Sequence, residues 1–340
     1  MPKDKIKRVT MLEVAQESGV SYQTVSRVIN EHPSVAPETR ARILDVIKRL
    51  NYRPSKAARS LAAKHSSTLA VITYGMEHYG LTQMVVNIEQ YARKAGYDII
   101  YSNVNLEDSD DIDSRIASTA QWSVDGIILI APIKNVYYDR IFEQLTSTST
   151  PFILFDNAPD IQSPSIRINQ EAGGFATTQH LIKIGHQQLV TIKGPQNWFG
   201  AESRLNGYYH ALEMAGLTSV AEIEGDWTAH SGYTAMKKLL QQHSFTAIVA
   251  GNDQMALGAI HAMIEAGIRI PEDVSIVGFD DIPEASFFLP ALTTVKQDFH
   301  LLAQRGIQYL IDLIQNPQII AGPRLIEPQI VIRNSTRPPR

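Results

Sequence analysis

The 340-residue sequence contains no cysteine. That excludes disulfides, thiolate zinc sites and cysteine nucleophiles, and is compatible with a reducing cytoplasm, the expected compartment. No apolar run approaches the roughly 20 residues of a membrane span, so no membrane partner is expected. The basic opening MPKDKIKRVT leads into no apolar segment, and a secretory signal is not expected either. Signatures of catalysis are also missing. There is no His-Glu-x-x-His spacing and no phosphate loop, GAESRLNG (200–207) having glycines in the wrong pattern. The adjacent Asp280 and Asp281 do not make a glycosidase pair, because neighbouring side chains of a strand point to opposite faces. No catalytic residue, metal ligand or cofactor is expected, and the chain is not read as an enzyme.

What remains is a globular composition, 44% hydrophobic and 19% charged, on a chain long enough for two or three domains. The net charge of −4 is unevenly spread. Residues 1–64 hold 13 Lys and Arg against 6 Asp and Glu, the remainder 18 against 29. A basic head on an acidic body suggests that the head alone meets a polyanion.

Within that head, Thr10 followed three residues later by Glu13 is a capping box that starts a helix at Met11. Gly19 can take the positive φ that ends it. Ser21 can cap a second helix, Tyr22 to Asn30, burying Val25, Val28 and Ile29 and presenting Tyr22, Gln23, Thr24, Ser26 and Arg27. Two short helices across a Gly-containing turn are a helix-turn-helix, whose second helix enters a major groove. Gln suits adenine, Arg suits guanine, and Ser and Thr suit phosphate oxygens. The same spacing also fits an ordinary helical hairpin with a solvated face.

Pro37 suits the first position of a third helix running to about Leu50, with Ile43, Val46, Ile47 and Leu50 on one stripe. Asn51-Tyr52-Arg53-Pro54 closes the head at residues 1–54. Residues 55–66 follow as a hinge or linker. SKAARSLAAK is helix-permissive but too short to fold alone, needing a second subunit or DNA to fold against. Its one large apolar residue, Leu61, could wedge between base steps in the minor groove, or pack locally in a plain linker.

From Ser67 onward the pattern changes. Short apolar runs at 69–74, 97–104, 125–131, 151–156, 188–194, 246–253 and 274–281 alternate with helical patterns at 82–95, 111–121, 170–184, 202–215, 232–242 and 253–266. This predicts an α/β core of parallel strands covered on both faces. The units are too many for one sheet, so two lobes are expected. Ligands of such sheets bind at the carboxyl ends of the strands, where Asp156, Asn252-Asp253 and Asp280-Asp281 sit.

The motifs VSYQTVSRVIN, LNYRP, GHQQ (185–188), EGDW (224–227), NDQMALGA (252–259), GFDD (278–281) and LTTVKQDF (292–299) occur in this order. With them the chain, from Val9 to about Arg333, resembles the lac repressor family of sugar-responsive bacterial regulators. The resemblance implies a helix-turn-helix head, a hinge helix and a two-lobed core like the type I periplasmic sugar-binding proteins. It implies lobe 1 at about 67–164 and 294–322, and lobe 2 at about 165–293 and 323–340. A homodimer on a near-palindromic double-stranded DNA operator is implied as well. After Arg333 only NSTRPPR follows, without the leucine heptads of the family's tetramerisation helix, so no tetramer is expected.

Residue by residue, Tyr22, Gln23 and Arg27 match the family's base-reading positions, the first two being the pair of its type member; operators similar to the lac half-site are implied. Thr10, Ser21, Thr24, Ser26, Asn30 and Tyr52 match positions that contact or buttress the DNA backbone, and Ala58 and Leu61 the hinge. In the core Arg204, Asn252, Asp280 and Asp156 match polar anchors for a small sugar effector, Trp227 and Phe299 pocket aromatics, and Gln297 a polar neighbour. From the residues alone Arg204 and Asp280 could instead be a structural ion pair, and Phe299 plain core. Departures stand at Leu106, where the type member has an arginine, at Tyr74 and at Trp198-Phe199; Tyr74 and Trp198 are counted as candidate effector contacts. The effector is expected to be a mono- or disaccharide, a galactoside or other β-glycoside among them. A non-sugar corepressor such as a purine, or sugar binding without regulation, is the alternative.

Overall fold

The computed structural model describes residues 9–29, 32–52, 65–74, 76–104, 124–134, 138–158, 162–316 and 318–340. The chain divides into two units, Met1–Ser66 and Ser67–Arg340. Asn30, Ala58, Leu61, Leu106 and the helix expected at 111–121 lie outside the described residues.

In the first unit α1 (Met11–Ser18) opens with the expected capping box: Glu13 N–H donates to Thr10 Oγ1 (3.3 Å) and Thr10 N–H donates to Glu13 Oε2 (2.7 Å). Two of the helix's otherwise orphaned donors are thereby satisfied. Gly19 ends it at φ 63, bonding back to Ala15 and Gln16 carbonyls, a conformation that costs glycine nothing. Ser21 Oγ accepts from Thr24 N–H (3.2 Å) at the start of α2 (Tyr22–Ile29). α3 (Pro37–Arg49) begins on proline, with Glu38 in its first turn and Lys48 and Arg49 in its last, opposite in sign to the helix dipole ends. Val14, Val25, Val28, Ile43 and Val46 form the small core. Tyr52 joins them at 7% exposure. Of the two roles expected for it, contact with the DNA backbone or a buttress behind it, a ring in the head's interior fits the second.

The second unit holds two parallel sheets. The first has the order β11-β5-β4-β3-β1-β2, where β1 is Thr68–Thr73, β2 Asp98–Asn103, β3 Gly126–Ile130, β4 Phe152–Phe155, β5 Ser165–Ile168 and β11 Pro323–Ile326. One face is covered by α4 (Tyr79–Lys94) and α10 (Phe299–Gln315), and on the other Ile141 and Leu145 of α5 (Tyr138–Ser147) pack against Ile127, Leu129 and Leu154. The second sheet runs β7-β6-β8-β9, with β6 Leu189–Lys193, β7 Ala221–Glu224, β8 Ala247–Ala250 and β9 Ser275–Val277. Around it lie α6 (Gln170–Lys183), α7 (Phe199–Met214), α8 (Ala229–Gln242) and α9 (Asp253–Glu265). Continuous burial of β1, β3 and β8 is what the unbroken Val/Ile runs require of strands covered on both faces.

Three crossings join the lobes. β5 feeds α6; β10 (Thr294–Lys296) feeds α10; β11 leads to β12 (Gln329–Val331), which pairs antiparallel with β10. The expected lobe boundaries shift accordingly. Residues 165–168 and 323–326, placed in lobe 2 by the resemblance, are strands of the first sheet, the latter at its edge, and 294–296, placed in lobe 1, pair beside the second. The crossings rather than the helices mark the divide, because each short strand finishes a sheet before the chain changes lobe. No helix among the described residues is long and apolar enough to cross a membrane.

Candidate functional site

Four of the unit's strained backbone positions converge at the carboxyl ends of its strands: Asp156 (φ 51), Trp227 (φ 73), Asp280 (φ 113) and Asp281 (φ 54). Non-glycine residues adopt such angles at a cost of order 1–3 kcal/mol, sustained by their surroundings, and they cluster at ligand sites. Three of the four line one pocket between the lobes.

Its polar floor is a closed ring of side chains. Arg204 Nε donates to Gln170 Oε1 (2.8 Å), Gln170 Nε2 to Gln297 Oε1 (2.7 Å), and Gln297 Nε2 to Asp280 Oδ1 (2.6 Å). Arg204 Nη2 closes the ring 3.7 Å from the same Asp280 oxygen. Arg204 also donates to the Gly251 carbonyl (2.5 Å) and lies over the Phe279 ring at 3.9 Å. Each member comes from a different place: Arg204 from α7, Asp280 from beyond β9, and Gln170 and Gln297 from two of the crossings. Burial pushes the Asp280 carboxyl up to about 6, against the pull of Arg204 and the Gln297 bond. Burial likewise raises Asp156, with Arg204 and Arg167 pulling it back, and lowers Arg204. Arg204 and Asp280 offset part of that cost by facing each other and by the hydrogen bonds of the ring.

Asp281 points elsewhere, to Arg333 Nη2 at 2.6 Å. Asp253, fully buried, is held by Thr294 Oγ1 (2.6 Å) and Ile282 N–H (2.9 Å), fixing the loop that carries Asp280. Burial and the neighbouring Asp280 hold its carboxyl well above the usual range.

Aromatic rings form the walls. Trp198 meets Trp227 edge-to-face at 5.6 Å and His78 at 4.8 Å, while Tyr79 meets Phe299 at 6.3 Å. Burial lowers the His78 imidazole, against Glu77 and Asp226, favouring the neutral ring. Gly194 makes room for Trp227: a Cβ there would lie 2.0 Å from its ring. Asn252 caps α9 through Met255 N–H (2.8 Å) and donates to the Trp227 carbonyl (3.0 Å), so it holds the tryptophan's loop as well as lining the pocket. Trp227 Nε1 is buried without an acceptor among the described residues. A buried, unsatisfied N–H costs about 1–3 kcal/mol.

The mouth is tied by backbone bonds between lobes: Lys134 N–H to Asn197 O (2.8 Å) and Phe199 N–H to Pro132 O (2.9 Å). In this arrangement the pocket encloses about 50 Å³.

Asp156, Trp198, Arg204, Trp227, Asn252, Asp280, Gln297 and Phe299, all singled out from the sequence, line this pocket. Tyr74 does not. The chain turns away after β1, and His78 and Tyr79, at the start of α4, face the pocket in its stead. Gln170, His78, Tyr79 and Gln254 were missed; a glutamine opening a helix and a tyrosine in an uncapped first turn carry no signal of a site. No group of three or more His, Cys, Asp or Glu residues that could hold a metal occurs among the described residues.

On the head, Ser21, Tyr22, Gln23 and Arg27 are exposed and Thr24 and Ser26 half-buried. Thr10 spends its hydroxyl on the capping box and Ser21 shares its own with Thr24 N–H and Oγ1.

A helix-turn-helix head followed by a two-lobed core with a polar and aromatic pocket between its lobes defines a ligand-responsive DNA-binding protein. Residues 10–55 match the model of bacterial regulatory proteins of the lacI family, and residues 178–336 that of the periplasmic binding protein-like domain. The lactose operon repressor of Escherichia coli (strain K12) is 34% identical over 335 residues, 98% of this chain and 92% of that protein. The HTH-type transcriptional repressor PurR of Proteus mirabilis (strain HI4320) is 35% identical over 332 residues, 96% of each. The crystal structure of the lac repressor dimer bound to operator and the anti-inducer ONPF superposes with a TM-score of 0.92 at 34% identity, over 97% of this chain and all of that one. The chain belongs to the lacI family of bacterial regulatory proteins, DNA-binding repressors with an effector-binding core, and is not an enzyme.

Proposed function

We propose that the protein is an operator-binding repressor, working as a homodimer in the cytoplasm, whose affinity for DNA is switched by a sugar bound between the core lobes. The observation that carries the sugar reading is the pairing of the Arg204–Gln170–Gln297–Asp280 ring with the unsatisfied Trp227 Nε1. A pyranose offers hydroxyls that give and take hydrogen bonds around its rim and a C–H face that packs on aromatic rings. The pocket supplies a ring of donors and acceptors and Trp227 and Phe299 as walls. A non-sugar corepressor such as a purine is disfavoured by how few flat faces lie open: Trp198, Trp227 and His78 meet edge to face, leaving no parallel slot.

In the head, Tyr22, Gln23 and Arg27 read base edges of an operator similar to the lac half-site. Thr10, Ser21, Thr24, Ser26 and Asn30 hold the backbone, with Tyr52 buttressing from inside. Ala58 and Leu61 form the hinge; Leu61→Ala is expected to weaken operator binding. The dimer is supported by the operator-bound lac repressor dimer and by apolar residues that a solitary core exposes, Leu257 and Ile264 on α9 and Phe287 and Leu289 at 83% exposure each.

A hexose ring needs far more than the 50 Å³ enclosed here, so effector entry parts the lobes. It breaks the Lys134–Asn197 and Phe199–Pro132 bonds and shifts the crossings between the core lobes. Fluorescence anisotropy of a labelled symmetric lac-like operator, at fixed salt because phosphate contacts are salt-dependent, followed by a panel of mono- and disaccharides, tests this. Tight, sequence-selective binding altered by one sugar is expected. Selective binding that no sugar alters would remove the effector assignment.

A further inference from the structure

Beside the first turn of α7 lies a second cavity, of about 250 Å³, which Arg204 and Asp280 do not line but which shares Asp156, Gln170 and Gly200 with the pocket already described. Three observations set it apart from a packing void. It is five times the size of the first pocket. Its lining mixes donors and acceptors at close quarters: Arg167 and Asn169 from the β5–α6 crossing, Glu171 in the first turn of α6, Ser203 on α7 and the Asp156 carboxyl on β4's end. And Asn157, only 2% exposed, turns its Nδ2 to the Ala158 carbonyl (2.8 Å) while its Oδ1 finds no donor among the described residues. Buried acceptors are almost always paired, and a cavity this polar is suited to a ligand rather than to apolar packing.

The lining favours a neutral polyol. Asp156 and Glu171 oppose an anion, Arg167 opposes a cation, and adjacent amide, carboxyl, hydroxyl and guanidinium groups match the alternating donors and acceptors of a sugar rim. Size points the same way. Small-ligand pockets enclose roughly 300–1,000 Å³; the first pocket alone falls far short, whereas the two combined reach the lower bound. Gly200 stands on the wall between them, where an added Cβ would sit 3.8 Å from the Gln170 side chain. Gln170 is the ring member on the same wall, so a ligand that takes over its bond from Arg204 frees it to swing aside and joins the two spaces.

We propose that this cavity is a second subsite of the effector pocket, taking a second polyhydroxylated unit, so that the effector is a disaccharide spanning Gly200 with one ring on Arg204, Asp280 and Trp227 and the other on Asn157, Glu171 and Ser203. This rests on the sugar reading above.

The test uses the full-length protein and the quenching of its tryptophan fluorescence, two of the three tryptophans, Trp198 and Trp227, lining the first pocket. Methyl α- and β-galactosides and glucosides are titrated against melibiose, lactose, maltose and cellobiose, which contain the same rings. The expected result is one disaccharide binding at least tenfold tighter than its methyl glycoside. Glu171→Ala, at the exposed rim, and Asn157→Leu are expected to reduce that advantage to within twofold while leaving the monosaccharide's affinity unchanged. Gly200→Val, at the passage, is expected to abolish that advantage. A disaccharide advantage that survives Glu171→Ala and Gly200→Val, or binding of both sizes with equal affinity, overturns the subsite and leaves the sugar reading standing. Quenching by neither size overturns the sugar reading itself.

Discussion

Asp280 carries the pH sensitivity of the account. Its carboxyl is held at about 6 by burial, above the ordinary aspartate value, although Arg204 and Gln297 favour the charged form. An ionised Asp280 accepts both the Gln297 bond and effector hydroxyls. Lowering the pH through 6 protonates it and converts an acceptor into a donor. Effector affinity is therefore expected to be level above about pH 7 and to fall by about tenfold per unit below 6, as one proton's linkage requires. Titrating the effector at several pH values by tryptophan quenching checks this, and Asp280→Asn should flatten the profile. For stability the sign is opposite. The folded state holds this proton between the unfolded aspartate value near 4 and 6, so the carboxyl's contribution is largest below 4 and is lost as pH rises toward 6. Gly194 offers a steric test. Gly194→Val drives a side chain into the Trp227 ring, and is expected to abolish the effector response while leaving operator affinity within about twofold. Most of the pocket was legible in the sequence, since Asp280, Asn252 and Trp227 lie in recognisable motifs at or after strand ends and Arg204 matches a family position on α7. Gln170 was not. Its role comes from reaching Arg204 and Gln297 at once, a coincidence of two crossings that no local pattern announces.

Among elements, those with strong local chemistry were read correctly and those defined by neighbours were not. α1 and α2 announced themselves through Thr10, Glu13, Gly19 and Ser21, whose backbone bonds are local. All seven strands read from apolar runs are present, each starting within one residue of the expected position and ending at most four residues short of it, because burial favours unbroken Val and Ile. β5, β7, β10, β11 and β12 left no such mark. They are three or four residues long, and β7 alternates between half-buried and exposed. α4 and α7 begin three residues before their periodicity suggests, at His78 and Trp198, which give no side-chain cap bond. The capping box makes a quantitative prediction. Thr10→Ala removes the acceptor for Glu13 N–H and should cost the head about 1 kcal/mol. That is roughly a fivefold loss of amide hydrogen-exchange protection across α1 and α2 in the full-length protein, with the core's amides unchanged. Protection equal to wild type would mean that Glu13 alone secures the helix start.

At the scale of the whole molecule, two units of opposite charge and different architecture have to act as one. The exposed Phe287 and Leu289 give the first check: Phe287→Asp should shift sedimentation from dimer to monomer and weaken operator binding steeply, since one head grips only a half-site. The central claim is that occupancy of the pocket between the core lobes sets the head's affinity for DNA. Allosteric couplings amount typically to 1–3 kcal/mol, about 5- to 150-fold in affinity. The most direct test is operator affinity by anisotropy, with and without saturating sugar, in the wild type and in Arg204→Ala. The wild type is expected to shift within that range and Arg204→Ala not at all, its sugar-free affinity staying at the wild-type level. An equal shift in both proteins, or an operator affinity that saturating sugar leaves untouched in the wild type, would contradict the central claim.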